Sequence, residues 1–152
     1  MSRPDWQGWA EEHGCTFAEE APELVGKWLP PFDGDDEKYA NVVAGTWSSL
    51  EFTAFTYSTR HKTRGVNSSW SSNGHLFLRL PGGLPPDVAK LSPDDAFELL
   101  GGKIPTSFDN WFFRPPDYLY GLTTSMNPQR LEGALQNLTL QIEAAPPEIW
   151  QR

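Results

Sequence analysis

Apolar residues along the chain recur at two spacings, and each spacing predicts its own kind of element. Trp6, Trp9, Ala10 and His13 fall at helical intervals between Pro4 and Gly14. That predicts a short helix with one aromatic face, since proline suits the first helical position and glycine the residue past the end. Residues 15–18 read as a strand. Residues 22–29 read as a second short helix, with Leu24, Val25 and Trp28 on one side and Pro30-Pro31 stopping it. Residues 33–37 form an acidic loop. Strands follow at 39–47 and 50–60, separated by Ser48-Ser49, the two-residue interval of a hairpin. In the second of these strands Leu50, Phe52 and Ala54 alternate, and Phe55 and Tyr57 continue in the opposite phase. That predicts a β-bulge or burial on both faces.

Residues 60–74 are polar and read as a loop or long hairpin tip. Residues 75–80 form a strand with Leu76, Leu78 and Leu80 on one face, and 81–86 are irregular. Residues 88–91 suggest a short edge strand. Ser92-Pro93-Asp94-Asp95 starts a helix, with Ser92 as cap and the two aspartates complementing the helix dipole. Ala96, Phe97, Leu99 and Leu100 face the core, and Gly101-Gly102 ends that helix. Residues 111–114 are an aromatic strand, and 117–122 read as either a strand or a short helix. Asn127-Pro128 opens a helix through 136, with Leu131, Ala134 and Leu135 inward. Leu138, Leu140, Ile142 and Ala144 then alternate with polar residues, the pattern of a half-buried strand. With no βαβ alternation, no repeat and no linker, the fold class is α+β: one domain over residues 1–152. Its antiparallel curved β-sheet has short helices packed on one face.

Composition narrows the function classes. Thirteen glycines and fourteen prolines act as punctuation between elements, and seven Trp, four Tyr and nine Phe argue against disorder. One cysteine excludes an intrachain disulfide framework and a cysteine-cluster metal site. A net charge of −8 argues against general nucleic-acid binding and against an anionic membrane surface. The N-terminal residues lack the apolar core of a signal peptide, and no apolar run approaches the ~20 residues of a membrane span. These features predict a soluble, cytoplasmic protein with Cys15 as a reduced thiol.

Residues 41–47 (Asn-Val-Val-Ala-Gly-Thr-Trp) followed by 52–58 (Phe-Thr-Ala-Phe-Thr-Tyr-Ser) carry a resemblance. It extends to residues 9–17, 78–85, 108–110 and 117–138. In these motifs the chain resembles an uncharacterised actinobacterial domain family, with Thr56 where that family has aspartate and Trp47 where it has a smaller ring or histidine. The resemblance implies bacterial origin and this kind of fold. It also implies a helix at 117–122, with 127–136 as the next one. It implies no activity.

Candidate chemistry is sparse. The run Asp33-Gly34-Asp35-Asp36-Glu37 fails as a calcium loop, because Lys38 and Ala44 stand where glycine and glutamate are needed. His13, His61, His75 and Cys15 lack zinc-ligand spacing. Cys15 follows a helix C-terminus among Glu11, Glu12, Glu19 and Glu20, which raises a thiol pKa and disfavours a nucleophile. No phosphate loop, dinucleotide loop or serine elbow occurs. No metal, cofactor or catalytic residue is assigned. The basic cluster Arg60, His61, Lys62 and Arg64 reverses the local charge, and Trp70 lies nearby. Side chains alternate along a strand, so Phe112 points away from Trp111 and Phe113. The resulting expectation is a non-catalytic binding domain that engages a protein partner, or a second copy, through an aromatic surface and this basic loop. Its contact residues are Arg60, His61, Lys62, Arg64, Trp70 and Phe112. The alternative is a small-molecule-binding or hydrolytic domain with a pocket between sheet and helices, using His61, His75, Tyr57 and Arg79.

Overall fold

The hairpin expected around Ser48-Ser49 organises the sheet. Both turn residues have positive φ (51° and 73°), the backbone of a two-residue turn whose twist matches its strands. A computed structural model describes residues 5–21, 36–60, 71–83, 91–99, 108, 110–114, 118–124 and 126–144. Its strands are β1 (Thr16–Glu20), β2 (Asp36–Trp47), β3 (Leu50–Arg60), β4 (Ser71–Arg79), β5 (Asn110–Arg114) and β6 (Tyr118–Thr123). Its helices are α1 (Trp6–Glu12), α2 (Pro93–Leu99) and α3 (Pro128–Ala144). The strands form one sheet in the order β1-β2-β3-β4-β6-β5, and every pairing is antiparallel. The expected α+β class is the observed one.

Both faces of the sheet are buried, as the phase change in β3 suggested. Phe52 and Ala54 join the layer under the helices, with Val43, Leu76, Leu78, Trp111 and Leu119. Phe55 and Tyr57 join a second layer on the other face, with Tyr39, Phe77 and Tyr120. The bulge itself lies in β2. Ala40 pairs with Thr56 and Val43 with Ala54, so Asn41 and Val42 together face one residue of β3. Tyr39 and Val43 are four residues apart and would share a face in a regular strand. The extra residue puts them on opposite faces. Asn41 carries the turn at φ 51°, a left-handed conformation that asparagine tolerates better than most residues.

Gly14, Ser92 and Asn127 stand at helix ends as expected, whereas α1 starts at Trp6 behind an Asp5 cap and not with Pro4 as its first residue. The Asp5 side chain accepts from the Gly8 amide at 2.9 Å. Gly14, at φ 68°, ends α1 with paired bonds: Cys15 N–H to Ala10 O (2.8 Å) and Gly14 N–H to Glu11 O (3.3 Å). Ser92 accepts from the Asp95 amide at 3.3 Å, and Asn127 from the Arg130 amide at 2.8 Å. Glu132 ties α1 to α3. One carboxylate oxygen lies 3.0 Å from His13 Nε2 and accepts from the Trp9 indole N–H at 3.3 Å. The Trp9, His13 and Trp47 rings cluster in mutual contact, with Trp9 4.4 Å from His13 and 6.1 Å from Trp47, and His13 5.3 Å from Trp47.

Four expectations are corrected. Residues 138–144 are the second half of α3, not a strand. Leu131, Ala134, Leu135, Leu138 and Ile142 form one buried helical stripe, whereas Leu140 is 69% exposed, so the apparent alternation is accidental. No glycine or proline interrupts the helix there, and the Thr139 hydroxyl donates to Leu135 O at 2.8 Å. Residues 117–122, a helix by resemblance, supply strand β6 from Tyr118. Its partners lie on β4 and β5, so non-local pairing decides. Gly121 suits that strand because a Cβ there would collide with the Trp111 ring. Asp36 and Glu37 begin β2 rather than belonging to a loop, paired with Arg60 and Thr59. Residues 71–74 extend β4 back into the expected loop, paired against β3. The expected helix at 22–29, residues 88–90 of the expected edge strand and the Gly101-Gly102 stop lie outside the described residues.

Two stability measurements check this account. Leu138→Ala should cost about 2–5 kcal/mol in denaturant unfolding, and Leu140→Ala close to nothing. Equal costs would match a strand with both residues on one face. Asn41→Gly should be tolerated, while Asn41→Val should lose about 1–2 kcal/mol, because a β-branched residue is strained at that φ.

Candidate functional site

The face away from the helices holds the four tyrosines and His75. In β4 the even positions, Gly74, Leu76 and Leu78, turn toward the helices, which leaves His75 and Phe77 on the other side. Cross-strand partners complete the layer: Phe55 opposite His75, Tyr120 opposite Phe77, and Tyr57 opposite Tyr39. All four tyrosines, Tyr39, Tyr57, Tyr118 and Tyr120, stand here. The described tryptophans, Trp6, Trp9, Trp47 and Trp111, all pack in the helix-side layer.

Two polar pairs are set among these rings. His75 Nδ1 is hydrogen-bonded to the Tyr120 hydroxyl. Its imidazole lies between Phe55 and Tyr120, with centroids 5.5 and 5.6 Å away, and meets the Tyr57 ring edge-on at 5.8 Å. The Tyr57 hydroxyl donates to Glu37 at 2.8 Å. Burial lowers the His75 pKa to about 4, so the ring is neutral at pH 7. Tyr39 is pushed far up, first by burial and then by the Glu37 carboxylate and Tyr57. The layer therefore offers a neutral imidazole at His75 and a phenol held protonated at Tyr39, both suited to hydrogen bonding.

Toward one end the face opens to solvent. Arg79 forms an exposed ion pair with Glu51 at 3.3 Å. Beside it, Glu51, Phe52, Thr53, Phe77, Arg79 and Tyr118 line a depression of about 60 Å³. Metabolite pockets usually hold roughly 300–1,000 Å³. Phe112 stacks on Tyr120 at 6.0 Å yet remains 44% exposed on β5. Its orientation away from buried Trp111 follows the expected alternation.

No family model matches the chain, and neither a curated protein nor a solved structure matches it. The site rests on its own residues.

The expected contact residues divide. Phe112 is exposed at the sheet edge. Arg60 ends β3, whereas the row containing Phe112, Tyr120 and Phe77 crosses β3 at Thr53. Seven residues of strand separate the two positions, about 23 Å at the usual rise. His61, Lys62, Arg64 and Trp70 lie outside the described residues. Of the alternative polar set, His75, Tyr57 and Arg79 are on strands β3 and β4, but His75 and Tyr57 face away from the helices. The space between sheet and helices is filled by apolar side chains among the described residues. Cys15 packs against that helix-side core, where burial raises its pKa, so the sheet separates it from His75. Among the described residues no three metal-ligating side chains gather.

Sequence reasoning missed Tyr120 and Glu37 as partners of His75 and Tyr57. The phase of β4 was legible, but that of β6 was not while residues 117–122 remained ambiguous.

Because the folded His75 pKa lies below the ordinary ~6.5, the unfolded chain takes up its proton more readily between those values. Its contribution is complete above about pH 6.5 and is lost as pH falls toward 4, on the order of 3 kcal/mol in all. Urea unfolding of wild type and His75→Gln at pH 7 and pH 4.5 checks this. The wild type should lose more stability on acidification, whereas equal losses would contradict burial of a neutral ring.

Proposed function

We propose that the chain is a non-catalytic binding domain that engages a protein partner, in an actinobacterial cytoplasm as the family resemblance suggests. The observation that carries this reading is Phe112, a large ring 44% exposed on an edge strand and backed by a buried aromatic layer. Rings of this kind anchor interfaces because they bury much area with little loss of conformational freedom. The basic segment Arg60, His61, Lys62 and Arg64, with Trp70, acts as a separate steering patch toward acid on the partner. Among the described residues no helix is long and apolar enough to cross a membrane.

A second reading, a small-molecule-binding or hydrolytic domain, has one observation in its favour. The His75–Tyr120 and Tyr57–Glu37 pairs share one aromatic face. The depression at its open end is small for a metabolite, so the protein-binding reading takes precedence.

Quantitative capture of partners from the native cell tests the proposal, with wild type, Phe112→Ser and Lys62→Glu/Arg64→Glu compared. Loss of an anchoring ring typically costs about 2 kcal/mol or more, so Phe112→Ser should weaken capture roughly thirtyfold. The charge reversal should lower recovery chiefly at low salt. Unchanged recovery with both variants would sink the reading.

A further inference from the structure

The two edges of the sheet differ in chemistry. β1 ends in Glu19 and Glu20, both exposed. Charged side chains of this kind on an edge strand discourage pairing with another strand. β5 reads Asn-Trp-Phe-Phe-Arg. It contains no proline, lysine or acidic residue, its three central residues are strong strand formers, and Asn110 and Phe112 are exposed. Among the described residues no strand lies beyond it.

β5 is also self-complementary. Let two copies pair antiparallel with Phe112 opposite Phe112. Asn110 then stands opposite Arg114 of the second copy at both ends, and Trp111 opposite its Phe113. The only charge in the strand faces an amide, so no like charges oppose each other. The exposed ring of Phe112 meets its counterpart at the centre, an aromatic cross-strand pair.

We propose that a second copy of this chain docks on β5, edge to edge about a two-fold axis, joining the two sheets into one. The inference rests on the reading of Phe112 as a protein-contact anchor and names its occupant. Stable interfaces bury about 1,200–2,000 Å² in total, and a five-residue strand pair is short for that. The dimer is accordingly concentration-dependent. With a charge of −8 on each copy, it strengthens as salt screens their repulsion.

Sedimentation equilibrium of the full chain from micromolar to millimolar concentration tests this. Mass should rise from monomer to dimer, and rise further with added salt. Asn110→Glu sets an acid opposite Arg114 twice per dimer and should lower Kd roughly two- to thirtyfold. Asn110→Arg should raise Kd by a similar factor, and Phe112→Arg should abolish association. Near-ultraviolet circular dichroism confirms that each variant keeps its tertiary packing. A monomer at every concentration, or a dimer equally stable in the two Asn110 variants, overturns the proposal. Either result leaves the protein-binding reading standing, because that reading fails only in the capture experiment.

Discussion

One inserted residue in β2 makes the two-sided sheet possible. The central strands bury both faces, so each must supply apolar side chains in both phases. β3 does so by plain alternation, with Phe52 and Ala54 on one side and Phe55 and Tyr57 on the other. Among its described side chains β2 has only Tyr39 and Val43 fully buried, at positions that alternation would place together. The bulge at Asn41 and Val42 separates them. Without it, either Tyr39 would enter the helix-side core or Val43 would leave the space beneath the helices. Both layers, and thus the surface proposed for binding, depend on that backbone irregularity.

The layers are chemically unlike. The helix side is closed by leucines and by rings of tryptophan and phenylalanine, and α1 is held there by Trp9 and His13 against Glu132. The far side carries tyrosine and histidine, where His75 bonds to the Tyr120 hydroxyl and Tyr57 to Glu37. A buried hydroxyl or imidazole is costly unless it is bonded, so such a layer tolerates few rearrangements. Its rigidity gives Phe112 a fixed backing at the edge. A rigid ring loses little freedom on binding, which is the physical reason for giving it the greater weight.

Local signals in the sequence were reliable where local chemistry decides. Gly14 past a helix, Ser92 before one and the two-residue gap at Ser48-Ser49 each describe a backbone need that a neighbouring residue meets. Alternation at residues 111–114 placed Phe112 on the correct face. Reading failed where distant partners choose. Residues 118–123 become a strand because β4 and β5 flank them, and nothing within the segment says so. In α3, Leu138, Leu140 and Ile142 satisfy both a period of two and, without Leu140, a helical stripe continuing from Leu131. Only the missing break after Gln136 favoured the helix. The site shared this limit: His75 and Tyr57 were recognisable as candidates, but their partners Tyr120 and Glu37 lay in segments whose form was misjudged or open.

The strand order also bears on how the chain reaches its fold. From β1 to β4 each strand lies beside its sequence neighbour, and β5 and β6 form a tight pair of their own. The junction between β4 and β6 is different, because the chain from 80 to 117 must be spanned before it can form. Loop-closure entropy rises with that length, so this seam carries the largest ordering cost of any pairing in the sheet. Long-range contacts of this kind slow folding. A four-strand meander and a two-strand ribbon are thus the natural subunits of assembly. The buried His75–Tyr120 bond crosses the seam between them, so it forms only once the two pieces have met.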